Sequence, residues 1–256
     1  MKFKAPAFLM ALALTAPLAL AAYADSPALP SAATADQVTT SKLVYGLLSD
    51  SRYAYRPRAL DAATSKDVFK RYLESLDGSK QFFTQADITK FAPFESNISS
   101  AIRGGELEPA FQVFAVYKQR VGERVGYARK LLKQDFDFSS DERFEYDRKD
   151  VPWAASSAEL DDLWRKSVKN DWLRLKLAGK QPADIRKTLD KRYAQLEKSV
   201  NELKGEDVFQ FFLNSYTSAV DPHTDYFTPR TAENFNQAMS LSLEGIGAQL
   251  QRQDDV

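Results

Sequence analysis

Between Phe111 and Leu132 the apolar residues recur every three or four positions: Phe111, Phe114, Tyr117, Val121, Val125, Ala128 and Leu132. That spacing puts them on one stripe of a single long helix, with Arg and Lys filling the other face. A helix of this length hides such a stripe only against other helices, so the pattern constrains the fold more than any other feature. The stripe reads as core and not as a cofactor box.

The flanking segments supply the partners. A first helix is predicted to start at Thr34, with Gln37 in the capping-box position and Val44, Leu47 and Leu48 inward. A second carries Val68, Phe69, Tyr72, Leu73 and Leu76, and Asp77-Gly78-Ser79 is expected to end it through a left-handed glycine. Thr84 with Asp87 marks another start before Ile88 and Phe91, and Pro93 is expected to interrupt that run. Gly104-Gly105 separates it from the long stripe. Asp135 to Val151, dense in charge and rings (Phe136, Phe138, Phe144, Tyr146), has no period and reads as an arm pinned by its aromatics. Beyond Pro152-Trp153, Ser156 and Glu159 cap a helix bearing Leu160, Leu163, Trp164, Val168, Trp172 and Leu175, stopped at Gly179. Pro182 opens the next, with Ile185, Leu189, Tyr193, Leu196 and Val200 inward, and Gly205 is expected to end it. Val208, Phe209, Phe212, Leu213 and Tyr216 form the last strongly apolar helix. The expected class is mainly α: a multi-helix domain over residues 34–240.

The rest of the composition excludes several functions. Lys plus Arg and Asp plus Glu number 35 each, which leaves no net field to draw in nucleic acid. Cysteine is absent, which removes thiol nucleophiles and zinc–thiolate sites. With His223 the sole histidine, a multi-histidine metal site is ruled out and a Ser-His-Asp triad would need that one ring. The aspartates of the arm lack calcium-loop spacing. Asp161-Asp162, near a helix start, reads as dipole complement rather than a glycosidase pair. No cofactor is expected.

The N-terminus carries an address. Lys2 and Lys4 precede an apolar run from Ala7 to Leu20, and Ala22-Tyr23-Ala24 offers a small-x-small cleavage site. The run is shorter than a membrane span needs, so residues 1–24 read as a cleaved export signal with no transmembrane segment left after cleavage, and 25–33 as a mobile mature N-terminus.

After Tyr216 the character changes. Asp221 to Arg230 contains Pro222 and Pro229 and ends the helix. A short amphipathic piece around Phe235 and Met239 follows, then Leu241-Ser242-Leu243 and Glu244-Gly245-Ile246-Gly247-Ala248 read as an extended segment with a close glycine approach. The glycine pair lacks the following helix and Lys of a phosphate loop.

Two blocks are too specific for composition alone. Asp221-Pro222-His223-Thr224-Asp225-Tyr226-Phe227-Thr228-Pro229, with Met239 to Ala248 behind it, resembles the junction in the carboxy-terminal processing (tail-specific) serine protease family where a helical region hands over to a PDZ domain. Pro152-Trp153, Leu163-Trp164 and Leu175-Lys176-Leu177-Ala178-Gly179-Lys180 are similar to its Prc/Tsp branch in Gram-negative bacteria. The resemblance implies a periplasmic enzyme whose PDZ domain engages substrate C-termini, whose Ser-Lys dyad lies far downstream, and which in some members works with a lipoprotein adaptor. Residues 241–256 would then be the start of the PDZ domain, cut short. No Ser or Lys of this chain takes a catalytic role by that carry-over, and the chain alone is expected to be inactive.

The site expected from the residues is a junction or hinge: Asp221, Pro222, His223, Thr224, Tyr226, Pro229, Gly245 and Gly247. The plainer reading of His223 is a turn residue whose ring bonds a nearby carboxylate or backbone group. The alternative function is a free-standing periplasmic helical protein-binding module.

Overall fold

The structure, a computed structural model, describes residues 32–240. The expected export signal, most of the mobile stretch after it, and the extended segment with Gly245 and Gly247 lie outside the described residues. Within them the chain is mainly α: α1 (Ala35–Ser49), α2 (Ala62–Asp77), α3 (Gln85–Gly104), α4 (Glu108–Leu131), α5 (Ser157–Leu177), α6 (Pro182–Asn201), α7 (Gly205–Val220) and α8 (Pro229–Ser240). Among the described residues no helix is long and apolar enough to cross a membrane.

Local chemistry sets most helix ends. Thr34 and Gln37 form a reciprocal capping box, as do Thr84 and Asp87, and Ser156 accepts the Glu159 N–H. Pro182 is the first residue of α6. α5 ends in a Schellman motif: the Lys180 N–H reaches the Leu175 carbonyl at 3.1 Å and the Gly179 N–H that of Lys176 at 3.0 Å, with Gly179 at φ 82°. Gly105 ends α3 at φ 85°, and a Cβ there would stand 2.4 Å from Val38 Cγ1, so conformation and packing both demand glycine.

The long stripe of α4 serves two cores. Its first turns, with Ala110, Phe111, Val113 and Phe114, pack into a core shared with α2, α3 and α7. Its last turns, with Val121, Val125, Ala128 and Leu132, pack into a second core against Trp164, Val168 and Trp172 of α5 and Ile185, Leu189 and Tyr193 of α6. Tyr117 touches both. α1 lies over α3 and α7, and the arm from Lys133 to Trp153 crosses back over α5.

The seam between the cores is the loop after α2. Asp77 is buried, and its carboxylate accepts the backbone N–H groups of Gln81 (2.8 Å), Phe82 (2.9 Å) and Phe83 (2.9 Å). Burial pushes its pKa up from the ordinary carboxylate value, against those three donors and Arg148, which pull it down. The same loop ties in α5, whose Trp164 Nε1 donates to the Gln81 carbonyl at 2.7 Å, and the arm, whose Val151 and Lys149 carbonyls accept from Lys80 Nζ.

Four sequence expectations are corrected. Pro93 does not interrupt α3: it is exposed, so the Thr89 carbonyl it leaves without a helical partner faces water, while Phe91, Phe94 and Ile98 hold both halves to the core. Gly205 opens α7 instead of ending α6, which stops at Asn201. Its carbonyl accepts from Gln37 Nε2 of α1 at 3.3 Å. Gly78 stays right-handed, and Lys80 instead takes the positive φ, 51°, immediately before the three N–H groups that converge on the Asp77 carboxylate. Leu47 points outward, at 49% exposure. α1 seats itself through small and polar contacts, with Ser41 Oγ bonding the Ile102 carbonyl at 2.9 Å, and Val44 and Leu48 are only partly buried.

Candidate functional site

The expected junction becomes a strap that leaves the end of α7 and doubles back along it. The turn begins at Asp221, the C-cap of α7. Its carboxylate accepts the His223 N–H at 2.9 Å and stands 3.1 Å from His223 Nδ1, and its carbonyl accepts the Thr224 N–H at 3.0 Å. The backbone N–H of His223, then its ring, hold the Asp221 carboxyl below the usual range. The His223 side chain is 90% exposed, the geometry of an Asx-type turn. Pro222 is exposed beside it. From the other direction Arg58 Nη1 donates to the Ala219 carbonyl at 2.5 Å, a cation on the negative end of α7.

Two amides on α7, one turn apart, then grip the strap. Asn214 donates from Nδ2 to the Tyr226 carbonyl at 3.0 Å and accepts the Tyr226 N–H on Oδ1 at 2.6 Å, pairing as a strand neighbour would. Gln210 Oε1 accepts the Thr228 N–H at 3.1 Å and the Thr231 hydroxyl at 3.3 Å. The Tyr226 ring packs edge-on against Phe209 at 5.4 Å. Thr228 is buried and caps α8 by accepting the Thr231 N–H at 3.3 Å, and Pro229 supplies the first helical residue. α8 itself buries no residue, and Phe235 and Met239 are exposed on it.

Asp221, His223, Thr224, Tyr226 and Pro229 thus share one strap. Gln210, Asn214 and Arg58 were not singled out in the sequence. The available signal was a pair of amides at i and i+4 on a helix otherwise rich in buried apolar residues.

The arrangement positions backbone and offers little chemistry. The His223 ring is bonded to Asp221 and, among the described residues, to no serine hydroxyl. Ser140 Oγ lies 3.5 Å from Lys169 Nζ, but that Nζ is also bonded to the Glu142 carboxylate. Among the described residues no three His, Cys, Asp or Glu side chains gather closely enough to hold a metal ion.

A family model described as Tail specific protease N-terminal domain matches residues 47–230, from the end of α1 to the second residue of α8. The chain belongs to the tail-specific protease family. A curated relative in that family, the Tail-specific protease of Haemophilus influenzae, is 36% identical over 202 residues. The alignment covers 78% of this chain and 29% of that protein, so the chain spans under a third of its relative's length. The boundary of the family domain falls where Gln210 and Asn214 fix the strap.

Proposed function

We propose that this helical unit is the N-terminal accessory and substrate-handling region of a tail-specific serine endopeptidase that trims protein C-termini in the periplasm. The leader before Asp25 directs its export. Residues 241 onward begin a PDZ domain, and peptide-bond chemistry is carried by residues outside this chain. A lipoprotein adaptor docks on the helices.

One observation carries this reading: the family domain ends at residue 230, on a strap clamped to α7 by three hydrogen bonds to backbone, from Asn214 Nδ2 and to Asn214 Oδ1 and Gln210 Oε1. A clamped exit fixes the direction in which the next domain leaves, as a region that presents substrate to a separate active site requires. The test has two arms. Residues 25–256 with an unstructured peptide should give no cleavage, and release of a product would overturn the assignment of the chemistry to other residues. In the whole protease, Pro229→Ala should change substrate-stimulated turnover by more than its Tm shift accounts for. An equal loss of both would reduce the strap to plain structure.

A further inference from the structure

Away from the strap, the arm lies on α5 as a bound ligand would. Between Asp135 and Asp147 it sets six carboxylates and four rings against one cation, Arg143. Among the described residues no backbone group of that stretch bonds to the rest of the protein, so side chains alone hold it. Ties from the body to backbone reach the arm near its ends, at the Leu132, Lys149 and Val151 carbonyls. A stretch of this length without secondary structure is seldom a mere connection.

The surface beneath has the complementary make-up. Arg165, Lys169 and Lys176 fall at i, i+4 and i+11 of α5, on one face of the helix, with Trp172 between them. Glu142 takes Arg165 at 2.5 Å and also Lys169. The Phe138 ring lies 5.6 Å from Lys169 Nζ and 5.0 Å from Lys176 Nζ. Phe136 packs on Trp172 at 5.5 Å, and Asp135 reaches Arg186 of α6 at 2.5 Å. The fit is incomplete. A recess of about 280 Å³ remains, lined by Phe138, Phe144 and Leu173, and Tyr146 stays 73% exposed.

We infer that this face of α5 docks a segment of another protein in which acidic and aromatic residues alternate, and that the arm occupies it in cis until such a segment displaces it. The partner's chemistry is read from the arm itself, whose carboxylates and rings are what the face already holds. Exposed ion pairs contribute little, so the arm is a replaceable occupant. A segment whose rings fill the recess while its carboxylates meet Arg165 and Lys169 gains burial that the arm forgoes. Such a partner need not be a substrate, because the face meets side chains along a segment and not a chain terminus.

The test offers the arm's own sequence in trans. A fluorescently labelled peptide of residues 134–147 is titrated into the purified protein and into its Glu142→Gln variant, and followed by anisotropy. In the parent the tethered arm competes at an effective concentration of about a millimolar, so the peptide should bind weakly. Glu142→Gln unties the arm and should bind the peptide about tenfold more tightly or better. Arg165→Glu added to Glu142→Gln should abolish that gain. Should the double variant unfold by circular dichroism, 1 M salt on Glu142→Gln takes its place and should weaken binding through screening. A peptide with its Phe and Tyr residues replaced by Ser should not bind. Equal affinity of parent and Glu142→Gln, no binding to either, or a gain that survives Arg165→Glu or salt would each overturn the assignment. So would equal binding of the ring-free peptide, which would mark a surface for any polyanion.

Discussion

The two ends of α4 enter cores built on different principles. At the first, rings interlock: Tyr72 and Phe212 meet edge-on at 5.4 Å, Phe94 and Phe212 lie 5.6 Å apart, and the Tyr72 hydroxyl is satisfied by the Ala110 carbonyl at 2.8 Å. At the second, a smaller apolar centre is rimmed by charge. Arg124 pairs with Asp161 at 2.5 Å, Arg129 with Asp190 at 2.6 Å and Arg186 with Asp135 at 2.5 Å, and the Arg186 guanidinium sits 5.0 Å over the Trp172 ring. Hydrophobic burial is not weakened by charge screening, whereas exposed pairs are. The strap hangs from the first core and the arm from the second. The strap is thus held largely by contacts that salt does not screen, and the arm in part by ion pairs that it does.

The largest effects should come from the centres of the two cores. Phe212→Ala removes a ring that contacts both Tyr72 and Phe94 and should cost about 4 kcal/mol, read as a fall in Tm. Leu189→Ala in the second core should cost about 3 kcal/mol. Hydrogen exchange separates them further: the first variant should loosen α2, α7 and the strap, the second α5 and α6. Uniform loosening in both would show that the cores unfold as one and break the comparison. Next comes the seam. Asp77→Asn replaces one acceptor oxygen by an NH₂ that faces buried backbone donors, for about 3 kcal/mol, and should free the arm and the start of α3 together.

A matched pair of glycines sharpens the contrast at a smaller scale. Gly105 in the first region and Gly179 in the second have nearly the same φ, 85° and 82°. Alanine therefore meets the same backbone penalty, about 1 kcal/mol, at both. At Gly105 the new methyl also meets Val38, while at Gly179 it enters open space. Gly105→Ala should thus cost roughly 2–3 kcal/mol against about 1 for Gly179→Ala, by urea denaturation. Equal costs would mean that α1 shifts aside freely and that the first region is looser than its ring packing implies.

What could be read in advance follows from the range of the forces involved. Caps are local, so Thr34, Thr84, Ser156 and Pro182 announce their helices from a few neighbouring residues. Periodicity is local too, and it found the α4 stripe, but nothing in the stripe says that Phe111 and Val125 face different cores. That division depends on where α5 and α6 return. Pro93 and Gly205 misled because breaker rules describe isolated chains, while tertiary packing holds a helix through an exposed proline and lets a buried glycine start one. The strap was visible as a Pro-rich block. Its grip was not, because Asn214 lies 12 residues before Tyr226 and polar side chains carry no period. Reading it needed the chain reversal in three dimensions.

The smallest effect concerns the arm. Arg165 first, then Lys169, hold the Glu142 carboxyl down at about 2. A carboxylate depressed in the folded state contributes stability above its unfolded pKa, near 4.5, and loses it as pH falls through the folded value. The arm should therefore remain docked from neutrality to about pH 3 and release as pH approaches 2. Glu142→Gln should release it at every pH. Because Glu142 is solvent-exposed, neither change should move the Tm measurably. The readout is proteolysis at neutral pH, where trypsin should cut after Arg143 and Arg148 faster in Glu142→Gln than in the parent. In 1 M salt, where screening shortens to about 3 Å, the parent should approach the variant's rate. A parent whose arm is cut at the same rate in low and high salt would show that Phe136 on Trp172, at 5.5 Å, and Phe144 on the Leu160 patch hold the arm unaided. The second region would then be as independent of charge as the first.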